Sequence, residues 1–520
     1  MALPVAGSEW PPAAYQPALD QVRRDLAWVI GDLDGIREQV AGTQPRPYQS
    51  RAQFNGGIVG GVARGVLGKP RMNPGGDATI ERHLPVAAEL VGTSADLLAE
   101  KPPAATLHPD DDGNTKAAQS LDELTSSDTF ASDVWDAFYH ASAAGWVYAR
   151  VVWNVDVRPR PWVEFVDADQ AFAEFTNGEQ TAITFYDTHP DPDDRNVFRL
   201  LQRHSPGRIE YGLYKGTETQ LGMRVPVTDH ADTAYLVDLL DADSEIKTGT
   251  DLLTARMIRN REKNPAWRNH PTLRYYGRSD VAKGGGIWAD IDRAWTELMH
   301  ELESGRHRLM VSEELLQTGP PGEGSYFEWH RDVFALAPGG DPDAAGRIES
   351  IQPELRVDKH MAVVDAATRK GIDAVGLSPL TVGMDPQASG DMTATETRAR
   401  SDKTIKTFGG KARQVRAGLS ELLTAYLHMD AQINNYPPPT RMVNISITEP
   451  VQDTDRDRAE RAQSLRNADA ASTYYPVRDL HPEWTEQQVD EEVSRIVEER
   501  RAGMPVDPFN VGADAPFGGE

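Results

Sequence analysis

The sequence predicts an α+β fold, because helical and strand patterns occupy separate parts of the chain. Apolar residues recur at helical spacing over 14–40, 287–311 and 392–433. Between 146 and 240, short β-rich segments are separated by turn residues, which is typical of antiparallel strands. Helices and an antiparallel sheet that are segregated along the chain define the α+β class.

Composition excludes several classes of protein. The chain has 520 residues, enough for two or more domains, and it contains no cysteine. It therefore has no disulfide scaffold, no thiolate nucleophile and no cysteine-ligated zinc ion. No apolar run approaches the roughly 18 residues that span a bilayer, and residues 1–12 lack a signal-peptide pattern. We expect a protein that is made inside a cell and does not enter a membrane.

The charge balance is strongly acidic. The chain has 80 Asp and Glu residues against 54 Lys and Arg, a formal net charge of −26. A protein that grips nucleic acid by neutralising its phosphates is expected to be basic. An acidic chain is compatible instead with a conduit in which DNA slides, because few cations are present to displace counterions and hold the duplex.

The first half of the chain starts with helical segments and continues with strands. The pattern predicts helices over 14–40, 80–100 and 115–144, with an irregular arm rich in Gly, Arg and Pro over 44–80. The predicted strands follow, each bounded by turn residues, at 146–153, 162–166, 182–186, 197–203 and 208–214.

A second helical region begins after the stretch Gly277-Arg278-Ser279-Asp280. The segment 287–311 is amphipathic, and its apolar stripe consists of Ile287, Ile291, Trp295, Leu298 and Leu302. A compact insert with turns and short strands follows, and then a helix over 358–374. A Gly-rich break followed by the long amphipathic helix indicates a packed strut more than the loop of an enzyme site.

The last part of the chain is dominated by one long helix. A loop over 376–391 precedes a helix over 392–433, whose apolar positions keep a near-heptad rhythm. Gly409-Gly410 lies inside this helix and predicts a kink. The remaining predicted elements are a strand over 442–447, helices over about 453–470 and 482–501, and a disordered tail from about 502 to 520.

This order of elements resembles the portal (head–tail connector) proteins of tailed bacteriophages, of the siphophage type. Three stretches are similar to the N-terminal wing, the tunnel-loop exit and the crown helix of that family, namely 83–98, 389–396 and 480–496. The resemblance implies a portal-type subunit with an α/β wing, a two-helix stem, a small α/β clip, a long kinked helix and a helical crown. The implied boundaries are wing 1–286, stem helix 287–311, clip 312–357, stem helix 358–375, tunnel loop 376–391, long wing helix 392–431, wing strand 432–452, crown 453–501 and tail 502–520.

The resemblance also implies a function and a set of partners. Portal subunits form a homo-oligomeric ring, commonly of twelve copies, at one vertex of the capsid. Double-stranded DNA passes through the ring during packaging and ejection. The ring docks the terminase large subunit, head-completion or adaptor proteins, and the major capsid and scaffolding proteins. The implied location is the virion, after assembly in the cytoplasm of the host bacterium.

A basic run on the long helix is the first candidate site. It interrupts an acidic chain, since seven cations between 393 and 416 are accompanied only by Glu396 and Asp402. These cations would contact DNA phosphates, or they would pair with acidic surfaces of a neighbouring subunit or lie on a solvated helix face. The run consists of Arg398, Arg400, Lys403, Lys406, Lys411, Arg413 and Arg416.

Two further groups are candidates by their position. Arg306, His307 and Arg308 are expected to close the first stem helix, where they would complement its dipole or form a positive ring inside the channel. The small or flexible residues of the tunnel loop would face the DNA, although an ordinary surface loop would have the same composition. They are Thr381, Met384, Gln387 and Ser389.

No sequence pattern predicts a catalytic residue, a cofactor or a metal ion. The chain has no nucleotide-binding P-loop, no G-x-S-x-G elbow and no H-E-x-x-H motif. The acidic stretches 110–114 and 191–195 lack the ligand spacing of a calcium loop. Two alternatives to a portal remain open: an acidic intracellular hydrolase that uses paired carboxylates, and a scaffolding protein without a channel.

Overall fold

We used a computed structural model of the chain. It describes residues 3–41, 80–155, 157–191, 196–304, 355–384, 394–449, 472–480 and 486–503, together with residue 463 and four short strands between 308 and 351. The chain divides into two compact units. One comprises 1–385 with 403–448, and the other comprises 386–402 with 449–520.

The helices of the first unit lie before and after its large β-sheet in the sequence. Most are amphipathic, as the apolar spacing predicts. They are α1 (Gln16–Ile30), α2 (Leu33–Ala41), α3 (Val86–Ala99), α4 (Thr115–Thr125), α5 (Asp128–Ala144), α6 (Val281–Gly284), α7 (Ile287–Ser304), α8 (Val357–Val375) and α9 (Ala394–Ile433), whose first residues belong to the second unit.

Fifteen strands are described, and all of the pairings are antiparallel. The first ten are β1 (Ala104–Thr106), β2 (Trp146–Val152), β3 (Trp162–Val166), β4 (Ala171–Thr176), β5 (Glu179–Pro190), β6 (Val197–Ser205), β7 (Arg208–Thr217), β8 (Gln220–Val225), β9 (Glu245–Lys247) and β10 (Ala255–Arg259). The rest are β11 (Arg308–Met310), β12 (Gln317–Thr318), β13 (Ser325–Tyr326), β14 (Glu349–Ile351) and β15 (Asn444–Ser446).

The largest sheet has the order β4-β5-β6-β7-β8, with β9 also paired to β7. Successive side chains along its strands point to opposite faces of the sheet. Leu201 and Tyr214 therefore belong to one apolar cluster, while Leu200 and Leu213 belong to another. Trp10 and Leu19 cover the first face, and Leu236 from the 3₁₀ segment after β8 covers the second. Each face of this sheet therefore carries a buried apolar cluster.

A second sheet has the order β10-β2-β3 and connects the large sheet to the helices. The largest apolar cluster contains side chains from this sheet, from α3, α4 and α5, and from the second half of α9. Leu419, Leu422 and Tyr426 of α9 are at most 1% exposed. The near-heptad apolar positions thus bury α9 along one face.

Several predicted boundaries are wrong, and local chemistry explains two of the differences. The helix predicted over 14–40 is two helices, because Gly31 adopts φ 73° and ends α1. The helix predicted over 115–144 is also two, and the side chain of Ser127 caps the second by accepting a hydrogen bond from the backbone N–H of Phe130. The helix predicted over 287–311 ends at Ser304.

Other predicted elements are present. The helices predicted over 358–374 and 392–433 are found as α8 and α9, and α9 continues as a helix through Gly409-Gly410. The strand predicted over 442–447 is found as β15, which pairs with β1. The predicted arm over 44–80 lies outside the described residues except for Ile80, and so does the tail beyond Gly503.

Beyond the first residues of α9, the second unit contains two described helices, α10 (Tyr474–Leu480) and α11 (Glu486–Gly503). Val477 of α10 and Val489 of α11 are buried. The helix predicted over 482–501 therefore corresponds to α11, whereas the one predicted over 453–470 lies almost wholly outside the described residues.

Candidate functional site

A buried carboxylate joins the start of the two-helix region to the long helix. Asp280, immediately before α6, has no exposed surface. Lys411 of α9 donates to one of its oxygens, and the Lys283 ammonium lies 2.7 Å from the other. The remaining donors are the hydroxyls of Ser142 (2.5 Å) and Ser94 (3.3 Å) and the side-chain amide of Asn260 (3.0 Å).

The electrostatics of this cluster keep Asp280 charged. Burial on its own would raise the pKa of Asp280, but the positive charges of Lys411 and Lys283 outweigh burial and hold that pKa well below its usual range. A buried charge is tolerated when it is paired and its oxygens accept hydrogen bonds. The cluster therefore ties α3, α5, α6 and α9 to one point.

Ser279, the residue before Asp280, contacts a second buried carboxylate. Ser279 donates its hydroxyl to Asp25 of α1 at 2.6 Å, and Gln21 donates its amide to the other oxygen at 2.7 Å. Burial raises the pKa of Asp25 to about 7, and these two hydrogen bonds only partly oppose the rise. The stretch 277–280 is thus a junction of several elements.

The role of Lys411 differs from both interpretations of the basic run. Its side chain is 3% exposed and is paired inside the subunit with Asp280. The sequence contains a signal for this position, because Lys411 lies on the apolar face of α9 between Phe408 and Val415, both of which are buried. A lysine within an apolar stripe indicates a buried partner.

The two helices predicted as a stem pack side by side. Trp288 of α7 donates its indole N–H to Val281 at 2.8 Å and lies against Gly371 of α8. A Cβ atom on Gly371 would lie 2.7 Å from the Trp288 ring, and one on Gly284 would lie 2.1 Å from it. Glycine at both positions makes room for the Trp288 ring, so that α7 can pack closely against α6 and α8. The predicted stripe omitted Trp288 and included Leu302, which is 39% exposed.

Ionic contacts hold the pair at both sides. On α7, Asp292 accepts the backbone N–H of Leu84 at 3.0 Å and lies 2.8 Å from His83. At the far end, Glu301 accepts the backbone N–H of Arg356 at 2.8 Å and lies 2.7 Å from the ring of His360. The hydrogen bonds from Arg356 lower the pKa of Glu301 to about 2. The helix pair is thus anchored to the segment before α3 and clamped where α8 begins.

Two predicted tunnel-loop residues are held by neighbouring elements. The hydroxyl of Thr381 lies 2.8 Å from that of Thr404 on α9 and 3.1 Å from that of Ser378. Met384 is half-buried against the cluster that contains Trp288. Both residues therefore belong to a packed corner after α8. Gln387 and Ser389 lie outside the described residues.

Four cations of the predicted basic run form what we call the basic stripe: Lys403, Lys406, Arg413 and Arg416. All are exposed, and at about 100° per residue they share one side of α9 over roughly 20 Å. Lys403 pairs with Asp373 at 2.9 Å, and Arg416 donates to the carbonyl of Ile445 at 3.2 Å. The side chains of Arg398 and Arg400 lie outside the described part.

The residues predicted to close the first stem helix are not in a helix as far as they are described. Arg308 is the first residue of β11, where it pairs with Ile351 of β14. The prediction that Arg308 complements the helix dipole is therefore wrong, because α7 ends at Ser304. Arg306 and His307 lie outside the described residues.

A pocket of about 450 Å³ between α5 and β3 is lined by four carboxylates. We call it the acidic pocket; Arg158 and His140 also line it. Burial and the nearby Asp136 raise the pKa of Asp133, while Arg158 opposes the rise. The carboxylates that line the acidic pocket are Asp133, Asp136, Glu164 and Asp167.

The acidic pocket and the basic stripe are associated with different edges of one sheet. The pocket borders β3, whereas α9 is joined to β10 by the hydrogen bond from Arg259 to Gln414 at 3.0 Å. Strands β3 and β10 are the two outer strands of the β10-β2-β3 sheet. The subunit thus carries patches of opposite charge at separate places.

Comparisons with known proteins find similarity to chains of virion structures. No family model matches the chain, and no curated protein matches it. A chain in the neck of an empty gene transfer agent (GTA) particle, computed with C6 symmetry, is 14% identical, with a TM-score of 0.44 over 76% of this chain and 90% of that one.

Two further structures give a similar result. A chain in the neck of a native GTA particle, computed with C12 symmetry, is 14% identical, with a TM-score of 0.40 over 88% of this chain and 98% of that one. A chain in the virion of the native particle is also 14% identical, with a TM-score of 0.39 over 76% and 89%. The chain is similar to components of these particles, but TM-scores below 0.5 carry no functional argument. In the described part of the chain, no helix is long and apolar enough to cross a bilayer.

Proposed function

We propose that this chain is a portal subunit of a tailed bacteriophage. Many copies, commonly twelve, would form a ring at one capsid vertex and give double-stranded DNA a channel for packaging, retention and ejection. The terminase large subunit, head-completion or adaptor proteins, and the major capsid and scaffolding proteins would bind this ring. The subunit would act in the virion after assembly in the bacterial cytoplasm, as a structural protein without catalytic residues or a cofactor.

The close pairing of α7 and α8 carries this proposal. A portal stem requires two helices side by side with a small β-containing insert between them, and a long helix after a loop. The contact of Trp288 with Gly371 and the clamp at Glu301 support the first requirement. The strands between 308 and 351, and then α9, support the rest. A compact enzyme domain would have no need for this order.

We further propose that the basic stripe docks in the acidic pocket of the neighbouring subunit. A closed ring requires a heterologous interface, in which one patch meets a different patch on the next copy. The stripe and the pocket have opposite charges and lie at different edges of a sheet, as such an interface needs. Pairing between subunits would also leave the acidic channel wall without exposed cations from this stripe.

Electron microscopy and native mass spectrometry of the full-length chain test the ring. We expect ring-shaped particles, whereas a monomer at every concentration and salt would contradict the portal proposal. Lys406→Glu with Arg413→Glu should abolish rings or weaken them severely, because like charges across an interface cost several kcal/mol. Adding Asp133→Lys and Asp136→Lys to the same chain should restore them.

The matched control is Lys116→Glu with Lys247→Glu, two exposed lysines outside the stripe with the same change of formal charge. This variant should assemble as the natural chain does. If the stripe variant also forms normal rings, the interface assignment is wrong. If its rings are normal but its salt-dependent retention of DNA is lost, the stripe serves DNA contact instead.

The hydrolase alternative has one observation in its favour, the raised pKa of Asp133 beside other carboxylates in a concave pocket. A general acid needs such a pKa. This alternative predicts hydrolysis of a glycoside or phosphoester substrate that Asp133→Asn abolishes. Activity that is equal in the natural chain and the variant, or absent from both, would eliminate the pocket as an active site.

A further inference from the structure

A histidine of β5 meets a histidine and an aspartate from a later segment of the chain beside the largest sheet. His189 lies near the end of β5, and His230 precedes the 3₁₀ segment Ala231–Asp238, in which Asp232 is the second residue. One donor atom from each residue lies within 4.8 Å of the other two. An oxygen of Asp232 is 3.3 Å from Nδ1 of His189 and 3.9 Å from Nδ1 of His230.

The surroundings keep the two imidazole rings close together. The two imidazole rings are 4.9 Å apart and inclined by 35°, and Phe198 packs 5.2 Å from the ring of His230. The backbone N–H of Asp232 donates to Nδ1 of His230 at 3.3 Å, so the His230 ring must rotate before it presents a free lone pair to an ion. The nearby ammonium of Lys215 is paired with Asp191 at 2.9 Å, so it does not oppose a cation with an uncompensated charge.

We propose that His189, His230 and Asp232 bind one divalent transition-metal ion, with Zn²⁺ as the expected ion. Two imidazoles and a carboxylate suit this class of ion, and three protein ligands leave a fourth position for water. Ligands at about 2.0–2.1 Å from a tetrahedral ion are roughly 3.3 Å apart. The His189–Asp232 pair already has this separation, and rotation of His230 would bring in the third ligand.

Binding would link more firmly two elements that are held by packing and by the His189–Asp232 contact. The 3₁₀ segment carries Leu236 onto one face of the largest sheet, and β5 is a strand of that sheet. An ion bound by both would stabilise the folded state, since it binds that state and not the unfolded chain. This inference does not depend on ring formation.

The chain contains a matched control site. His108 and Asp110 form the same local motif, in which Nδ1 of the histidine accepts the backbone N–H of the aspartate at 3.2 Å and lies 3.5 Å from its carboxylate. Among the residues that the structure describes, no second histidine or carboxylate completes a three-donor group there. One histidine and one aspartate in this geometry should therefore bind an ion weakly.

The experiment uses the full-length chain without a histidine tag, treated with EDTA and dialysed. Calorimetric titration with Zn²⁺ and the visible absorption of Co²⁺ should show one bound ion per chain. His189→Asn and His230→Asn should each weaken binding by roughly tenfold or more, since even supporting residues of metal sites contribute that much. At position 230 the asparagine side chain can also accept the backbone N–H of Asp232, as His230 does.

His108→Asn should leave Zn²⁺ affinity unchanged. Zn²⁺ should raise the melting temperature of the natural chain and of the His108→Asn variant, but not of the His189→Asn variant. Absence of stoichiometric binding in the natural chain would overturn the proposal. So would affinity that His189→Asn and His230→Asn leave intact.

Discussion

Asp280 and Asp25 are both buried beside the same four-residue stretch, yet they have opposite electrostatic character. Asp280 is paired with Lys411 and Lys283, and its pKa is held well below the usual range. Asp25 accepts hydrogen bonds from Ser279 and Gln21, and burial raises its pKa to about 7. The comparison shows that equal burial produces either a fixed charge or a titrating group, according to whether a cation is buried with it.

The two carboxylates also give stability opposite dependences on pH. A lowered pKa stabilises the fold above the ordinary pKa of aspartate, and that contribution is lost as the pH falls through the folded-state value. A raised pKa stabilises the fold at low pH, and that contribution is lost as the pH rises through about 7. Asp280 therefore supports the fold at every physiological pH, whereas Asp25 supports it best in mildly acidic conditions.

The strongest test of the comparison removes the cation of the paired carboxylate. Lys411→Met should lower the free energy of unfolding by about 3–5 kcal/mol, because it leaves a buried charge with only Lys283 as its cationic partner. Urea denaturation measures the loss. Arg413→Met, an exposed cation two residues along the same helix, should change stability by about 0.5 kcal/mol or less.

A double-mutant cycle separates the ion pair from packing. Lys411→Met combined with Asp280→Asn should cost less than the sum of the two single changes, because removing both charges leaves neither of them alone. Additive costs would mean that the pair contributes nothing beyond the shape of its side chains.

The second test concerns the titrating carboxylate. Asp25→Asn removes a proton-binding group whose pKa is about 7 in the folded state and about 3.9 in the unfolded chain. Between pH 4 and pH 8, the natural chain should lose roughly 2–4 kcal/mol of stability relative to the variant, since each pKa unit corresponds to about 1.4 kcal/mol. Parallel pH profiles for the two proteins would show that Asp25 is not perturbed.

The smallest expected effect comes from one hydroxyl of the Asp280 cluster. Ser94→Ala removes a donor at 3.3 Å, but Ser142, Asn260 and both lysines continue to donate. The loss should be about 1 kcal/mol or less. Ser132→Ala, on an exposed face of α5, is the control and should be neutral. A loss above about 3 kcal/mol would mean that the cluster is not redundantly bonded.

Sequence patterns predicted elements better than they predicted their ends. Apolar spacing was sufficient for α8 and α9, since one face of each is buried. It was insufficient at Gly31 and Ser127, where a backbone conformation and a side-chain cap end or begin a helix inside a continuous apolar pattern. The apolar spacing did not indicate that Gly31 and Ser127 would mark helix boundaries.

The candidate site was predictable only in part. The stretch 277–280 was singled out by its position before α7, but its bonds to Asp25 and Lys411 join residues more than 100 positions apart in sequence. The exposure of charged residues such as Arg413 could be predicted, because they lie outside the apolar face of α9. The meeting of His189 with His230 could not be, because it depends on how the segment after β8 folds back over the sheet.

The Asp280 cluster also has a consequence for how the subunit is synthesised. Five of its six members precede residue 284, whereas Lys411 emerges from the ribosome more than a hundred residues later. Until then, Lys283 is the one cation of the cluster that can neutralise the negative charge of Asp280 in a nascent chain. A truncated product that ends before α9 would be left with an incompletely neutralised interior, and cellular proteases would find it more readily than the finished chain.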